Sequence, residues 1–165
     1  MPTTTKQSQR STPKHGARRF GKKALATSPR HHYTKLIGLK VKNSLALVQH
    51  VERGLDFSVV ESLQSEMHLA TKEMASLLDI KLRTLLRRKD TGRLLPAESD
   101  RVLRTSRLFA GATDLFEGNR DDARRWLMSP QRALGGAVPL EIARTEVGAR
   151  EVEKIIGRLE QGVFT

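Results

Sequence analysis

The sequence predicts an all-α fold: a helix-turn-helix module followed by a small helical C-terminal module. Three observations carry that prediction. Leu, Ala, Arg and Glu are abundant and aromatics make up only 4% of the residues, a composition that suits helices more than sheets. Apolar residues recur at three- and four-residue spacing along most of the chain, without sustained strand alternation. Gly, Pro, Asn and Ser punctuate this pattern where helices start and stop.

The chain has 165 residues and a net charge of +12. Residues 1–42 hold eleven Lys or Arg and no acid, whereas the remaining nineteen cations face all eighteen acids. The excess therefore sits in a basic arm, expected to span residues 1–42 and to be disordered at least as far as Tyr33, because it has little to bury. Such asymmetry suggests a polyanionic partner. An organellar transit peptide has a similar composition and is the other reading of this segment. There is no Cys, which removes disulfides and thiolate sites and suits a reducing cytoplasm. No apolar run reaches the length of a membrane span.

A helix-turn-helix module is expected over residues 43–95. Asn43 can cap a first helix whose Leu47, Val48, Val51 and Leu55 share a face, with Gly54 at its end. Ser58 and Glu61 have capping-box spacing for a second helix, which buries Val59, Val60, Leu63 and Met67. Thr71 can cap a third, burying Met74, Ala75 and Leu78. The chain then turns through Asp79, a residue that tolerates the left-handed conformation, into a fourth helix over 81–89. Two short helices joined so tightly read as a helix-turn-helix.

The second module is expected over residues 96–165. Pro96 suits the first turn of a long helix over 97–116. Asn119 can cap the next helix, with Asp121 and Asp122 at its positive end, and Ser129-Pro130 stops it. Gly135-Gly136 and Pro139 mark a turn and a further start. A last helix is expected over 149–160, with Gly148 before it and Gly162 after it.

The 81–89 helix carries the functional signal. Leu82, Leu85 and Leu86 fall on one side and should hold it to its neighbours. Lys81, Arg83, Thr84, Arg87 and Arg88 fall on the other and should face outward. A protruding helix of this kind fits the DNA major groove, where Arg can donate two hydrogen bonds to guanine and Thr can reach a phosphate or a thymine methyl. A solvated basic face is the plainer alternative. Arg101, Arg104 and Arg107 form another basic stripe, which reads as a solvated face more readily than as a second DNA contact.

Nothing in the sequence points to catalysis. The five His are scattered, with no pair at ligand spacing beside a carboxylate motif. Nucleophile-elbow and phosphate-loop motifs are absent. No catalytic residue, metal or cofactor is expected.

The segments "RTLLRRKDTGRLLPAESDRVLR" and "ARRWLMSPQRALGGAVPLEIARTEVGAREVEKIIGRLEQGVF" resemble the Xre/MbcA/ParS antitoxin family. The matching words are Arg83-Thr84-Leu85, Leu95 to Ser99, Ala123 with Trp126-Leu127 and Pro130, Leu134-Gly135-Gly136, Pro139-Leu140, Thr145 with Gly148, Val152, and Glu160 to Gly162. The resemblance runs from about Val51 to the C-terminus. Asp79 departs from it, since Gly is more usual there.

The resemblance implies a dimeric cytoplasmic bacterial antitoxin. It would repress its own operon through the helix-turn-helix and block a RES-domain toxin that degrades NAD through the C-terminal module. It also suggests insertion of the Gly162-Val163-Phe164 tail into the toxin's cleft. Arg150, Lys154 and Arg158, along one side of the last helix, are the accompanying candidates, with Arg158 placed to occupy a site built for an anionic cofactor. The residues alone leave a folded-back tail equally open, a stripe such as Arg150, Lys154 and Arg158 is as a rule simply solvated, and Trp126 reads as a core anchor before a partner contact. A stand-alone DNA-binding regulator is the alternative function. A basic structural protein that binds nucleic acid through the arm is a third.

Overall fold

The computed structural model describes residues 32–162. The basic segment before His32 and the tail residues Val163 and Phe164 lie outside them. The described chain contains nine α-helices and one 3-10 turn. The helices are α1 (His32–Leu36), α2 (Ser44–Arg53), α3 (Ser58–Glu66), α4 (Thr71–Leu77), α5 (Leu82–Thr91), α6 (Pro96–Leu115), α7 (Arg120–Met128), α8 (Pro139–Ile142) and α9 (Glu146–Glu160). Extended pairing among these residues is limited to two isolated bridges, Asp56 with Arg93 and Gln131 with Ala137.

The 20-residue α6 is the axis of the molecule. It packs against α1, α2, α3, α7 and α9. Phe109, Val102, Leu108 and Ala112 are fully buried along it. Leu63, Met74, Leu78 and Leu85 from one end, and Leu127, Ala149 and Val152 from the other, join the same continuous core. Removing this apolar surface from water is the main force holding the elements together.

Several helix ends form as the sequence predicts. The Asn43 side chain accepts from the Ala46 N–H at 2.8 Å, and Asn119 accepts from the Asp122 N–H at 3.1 Å. Pro96 and Pro139 occupy first turns, where a missing N–H costs nothing. Three ends use a left-handed residue other than glycine: His68, Asp79 and Glu117, with φ of 51°, 52° and 54°. Each is followed by a bond that closes the last turn, such as the Ile80 N–H to the Ala75 carbonyl at 2.9 Å.

Other expectations are corrected. The boundary placed at residue 42 falls inside folded structure. Helix α1 packs on α6 and Ile37 is buried, because Leu36, Ile37 and Leu39 form an apolar cluster hidden among lysines. Ser58 is the first residue of α3 and does not cap it; Phe57 holds that position. Ala70, not Thr71, precedes α4, and the Glu73 carboxylate accepts its N–H at 2.7 Å. Val48 is half exposed, while Leu47 and Leu55 are buried.

The last helix starts at Glu146, three residues earlier than expected, because Thr145 caps it by accepting from the Gly148 N–H at 3.1 Å. Gly148 is therefore in its first turn. A Cβ there would stand 2.0 Å from the Ile142 carbonyl oxygen, so only glycine permits this approach of α8 to α9.

Candidate DNA-reading helix and the C-terminal helix

The α4–α5 pair is built from an apolar hinge. Met74, Ala75, Leu78, Ile80 and Leu85 are buried around it, and Asp79 supplies the left-handed turn. Arg101 on α6 then holds that turn. Its Nη1 donates to the Leu78 and Asp79 carbonyls at 3.2 and 2.8 Å, satisfying acceptors left free at the end of α4.

Helix α5 sits in a rotation that differs from the sequence reading. Only Leu85 enters the core; Leu82 and Leu86 are 40% and 46% exposed. Arg88 turns inward. Its side chain is 15% exposed and its Nε donates to both carboxylate oxygens of Glu98, at 3.1 and 2.9 Å. Glu98, 9% exposed, also accepts the Leu95 N–H at 2.7 Å and so caps α6. Arg88 is thus a structural tie between α5 and α6, not part of the outward face. A carboxylate in this position draws the guanidinium in more strongly than two leucines can compete for the same space, since a buried charge needs its partner.

The rest of the expected face is open. Lys81, Arg83 and Arg87 are exposed and Thr84 is half-buried. Next to Glu98, Ser99 accepts the Leu55 N–H at 2.8 Å and donates to the Leu95 carbonyl at 2.9 Å. Two consecutive residues at the start of α6 therefore fix both the α2–α3 connection and α5. The Leu95-x-x-Glu98 spacing after a loop, with Pro96 between, is the sequence signal that points to Glu98.

The Arg101, Arg104 and Arg107 stripe is not a solvated face. Arg104 is largely buried; its Nε donates to Glu146 at 3.2 Å, its Nη1 to the Arg144 carbonyl at 2.9 Å, and it pairs with Asp100. Arg107 pairs with Glu153 and lies 3.5 Å from Glu146. The three guanidiniums join α6 to the α4–α5 turn and to α9. Glu146 shows the effect: burial would raise its carboxyl, but hydrogen bonds from Arg150 and Arg104 and the charges of Arg107 and Arg104 hold it below the ordinary carboxylate value. Arg107 is raised above its ordinary value. Its burial acts the other way and is outweighed by the Glu153 bond and the charges of Glu153 and Glu146.

On α9, Arg150, Lys154 and Arg158 line one exposed side. Arg150 pairs with Glu146 at 3.3 Å and Lys154 with Glu151 at 2.7 Å, while Arg158 has no ion pair among the described residues. Gly162 follows the helix with φ 72°. Trp126 is partly buried against the core. Among the described residues no group of three His, Cys, Asp or Glu is placed to hold a metal ion, and no helix is long and apolar enough to cross a membrane.

A helix pair with a tight turn, one helix offering cations outward, and a separate helical unit stacked on the same axis define a helix-turn-helix protein with an appended module. Residues 46–107 match the family of Antitoxin Xre-like helix-turn-helix domains, and residues 111–162 match the Antitoxin Xre/MbcA/ParS C-terminal toxin-binding domain. The chain is 36% identical to Antitoxin Xre of Yersinia enterocolitica, over 78% of this chain and 88% of that protein. It is 32% identical to Antitoxin Xre of Photorhabdus laumondii, over 70% of this chain and 78% of that one. It is also similar to the Prs ADP-ribosylating antitoxin of a Sphingobium species, at 28% identity over 69% of this chain and 77% of that protein. The chain belongs to the Xre antitoxin family and carries both its helix-turn-helix and its toxin-binding domain.

Proposed function

We propose that this antitoxin binds and inhibits a RES-domain toxin that degrades NAD, and that as a homodimer in the bacterial cytoplasm it represses its own operon through α4 and α5. One observation supports the DNA half above all. Lys72, Lys81, Arg83 and Arg87 are exposed and have no acidic partner among the described residues, whereas Arg104, Arg107, Arg120, Arg124, Arg125, Arg150 and Lys154 are all in ion pairs. Unpaired exposed cations also stand elsewhere, at Lys40, Lys42, Arg53, Arg132, Arg144 and Arg158, but those on α4 and α5 share one helix pair with a tight turn, and that placement favours a polyanion at this face. The contacting residues are Lys81, Arg83, Thr84 and Arg87, with Arg88 acting behind them. The toxin half rests on the toxin-binding domain, with Arg158 and the Gly162-Val163-Phe164 tail as the contacts.

Two measurements test this. In gel shifts on the DNA upstream of the coding sequence, Arg83→Ala with Arg87→Ala removes specific binding. It also lowers the slope of log affinity against log salt by about 2, one for each phosphate no longer neutralised. In cells, co-expression with a neighbouring RES-type gene restores growth and cellular NAD. Unchanged DNA binding by the double variant, or NAD loss despite co-expression, would refute the corresponding half.

A further inference from the structure

The outward arc of α5 carries two parallel rows. One holds Arg83 and Arg87; the other holds Leu82 and Leu86. Each pair is one helical turn apart, about 6 Å along the axis. The leucine row is exposed by the rotation that seats Leu85 in the core and Arg88 on Glu98, so its exposure is built into the packing of the helix.

An exposed apolar row calls for an occupant, and the neighbouring charge decides which. An apolar protein surface laid on Leu82 and Leu86 would also cover Arg83 and Arg87, which have no acidic partner of their own, and would strand them without counter-charge. Duplex DNA meets both demands: its phosphates neutralise the arginines. Its major groove also presents one apolar group on the base edges, the 5-methyl of thymine. We infer that Leu82 and Leu86 determine operator specificity by packing against thymine methyl groups in the major groove. This rests on the proposed DNA-binding role of α5 and adds the base it reads. The arginines supply affinity and orientation, and the leucines select A·T pairs at the positions they cover.

The experiment uses the full chain. Duplexes are selected from a random-sequence pool, then resynthesised with deoxyuridine replacing each thymine in turn, which deletes one methyl and leaves the pairing intact. Wild-type affinity falls about fourfold at one or two positions, the equivalent of about 0.8 kcal/mol for one apolar carbon removed from water. In Leu82→Ala with Leu86→Ala, both surface changes, that sensitivity disappears while non-specific binding and its salt dependence persist. Equal affinity for every deoxyuridine duplex, or undiminished sensitivity in the leucine variant, overturns the inference but leaves the DNA-binding role of α5 standing. So does a leucine variant that reads DNA normally but no longer self-associates or captures the toxin. Selection of no duplex at low salt removes the DNA-binding role itself.

Discussion

Replacing Glu98 by Ala tests the tie between α5 and α6. The change deletes a nearly buried carboxylate that accepts from Arg88 Nε at 3.1 and 2.9 Å and from the Leu95 N–H at 2.7 Å. Two losses follow. The Arg88 guanidinium, 15% exposed, keeps its charge without a partner; a charge-assisted bond of this kind contributes about 2 kcal/mol. The first turn of α6 loses its cap, which costs about 1 kcal/mol. The sum, about 3 kcal/mol, lowers the melting temperature by roughly 10 °C for a chain of this size. Glu98→Gln keeps one oxygen for the Leu95 N–H and loses about half as much.

Urea unfolding of the full chain followed by far-UV circular dichroism measures these differences. Arg88→Met completes a double-mutant cycle. With both groups gone no charge is stranded, so Arg88→Met with Glu98→Ala is more stable than the sum of the single effects requires. A loss below about 1 kcal/mol for Glu98→Ala, well under the sum worked above, or strict additivity in the cycle, would show that the pair does not hold the helix.

Other outcomes follow from particular contacts. Gly148→Ala forces a Cβ against the Ile142 carbonyl and destabilises by about 3 kcal/mol or more. Gly157→Ala on the same helix meets nothing within 4 Å and stabilises by about 0.5–1 kcal/mol; the two variants separate in one denaturation series. The Glu146 carboxyl is held below its ordinary value in the folded chain, so the unfolded chain binds its proton more readily. Its stabilising contribution is present above the ordinary glutamate value and is lost as the pH falls through the lowered folded value. Glu146→Gln therefore flattens the acid limb of a melting-temperature profile and leaves its shape near neutrality unchanged. Deleting Gly162 to Thr165 weakens toxin neutralisation in a growth assay while gel shifts stay unchanged; full rescue of growth by the truncated chain would exclude the tail from the toxin contact.

Local signals were the legible part of this protein. Apolar spacing, Asn43, Asn119, Pro96, Pro139 and the Asp79 turn specify where helices begin, end and reverse. Each acts within a few residues of itself, through a backbone dihedral or an unsatisfied N–H. The all-α class, the helix-turn-helix and the family resemblance follow from such signals. The order of words from Trp126 to Gly162 carried the toxin-binding module, which periodicity alone could not distinguish from any other helical bundle.

The rotation of α5 was decided elsewhere. Three leucines on one side of a helix predict which side is buried only if the neighbour is apolar too. Here the neighbour brings Glu98, and a carboxylate in the core outweighs hydrophobic preference because leaving it unpaired costs more than exposing Leu82 and Leu86. The same holds for Arg101, Arg104 and Arg107: their spacing reads as a solvated stripe until α9 places Glu146 and Glu153 opposite and the α4–α5 turn presents its carbonyls. Local chemistry determined the helices; long-range pairing of charges determined which faces they show.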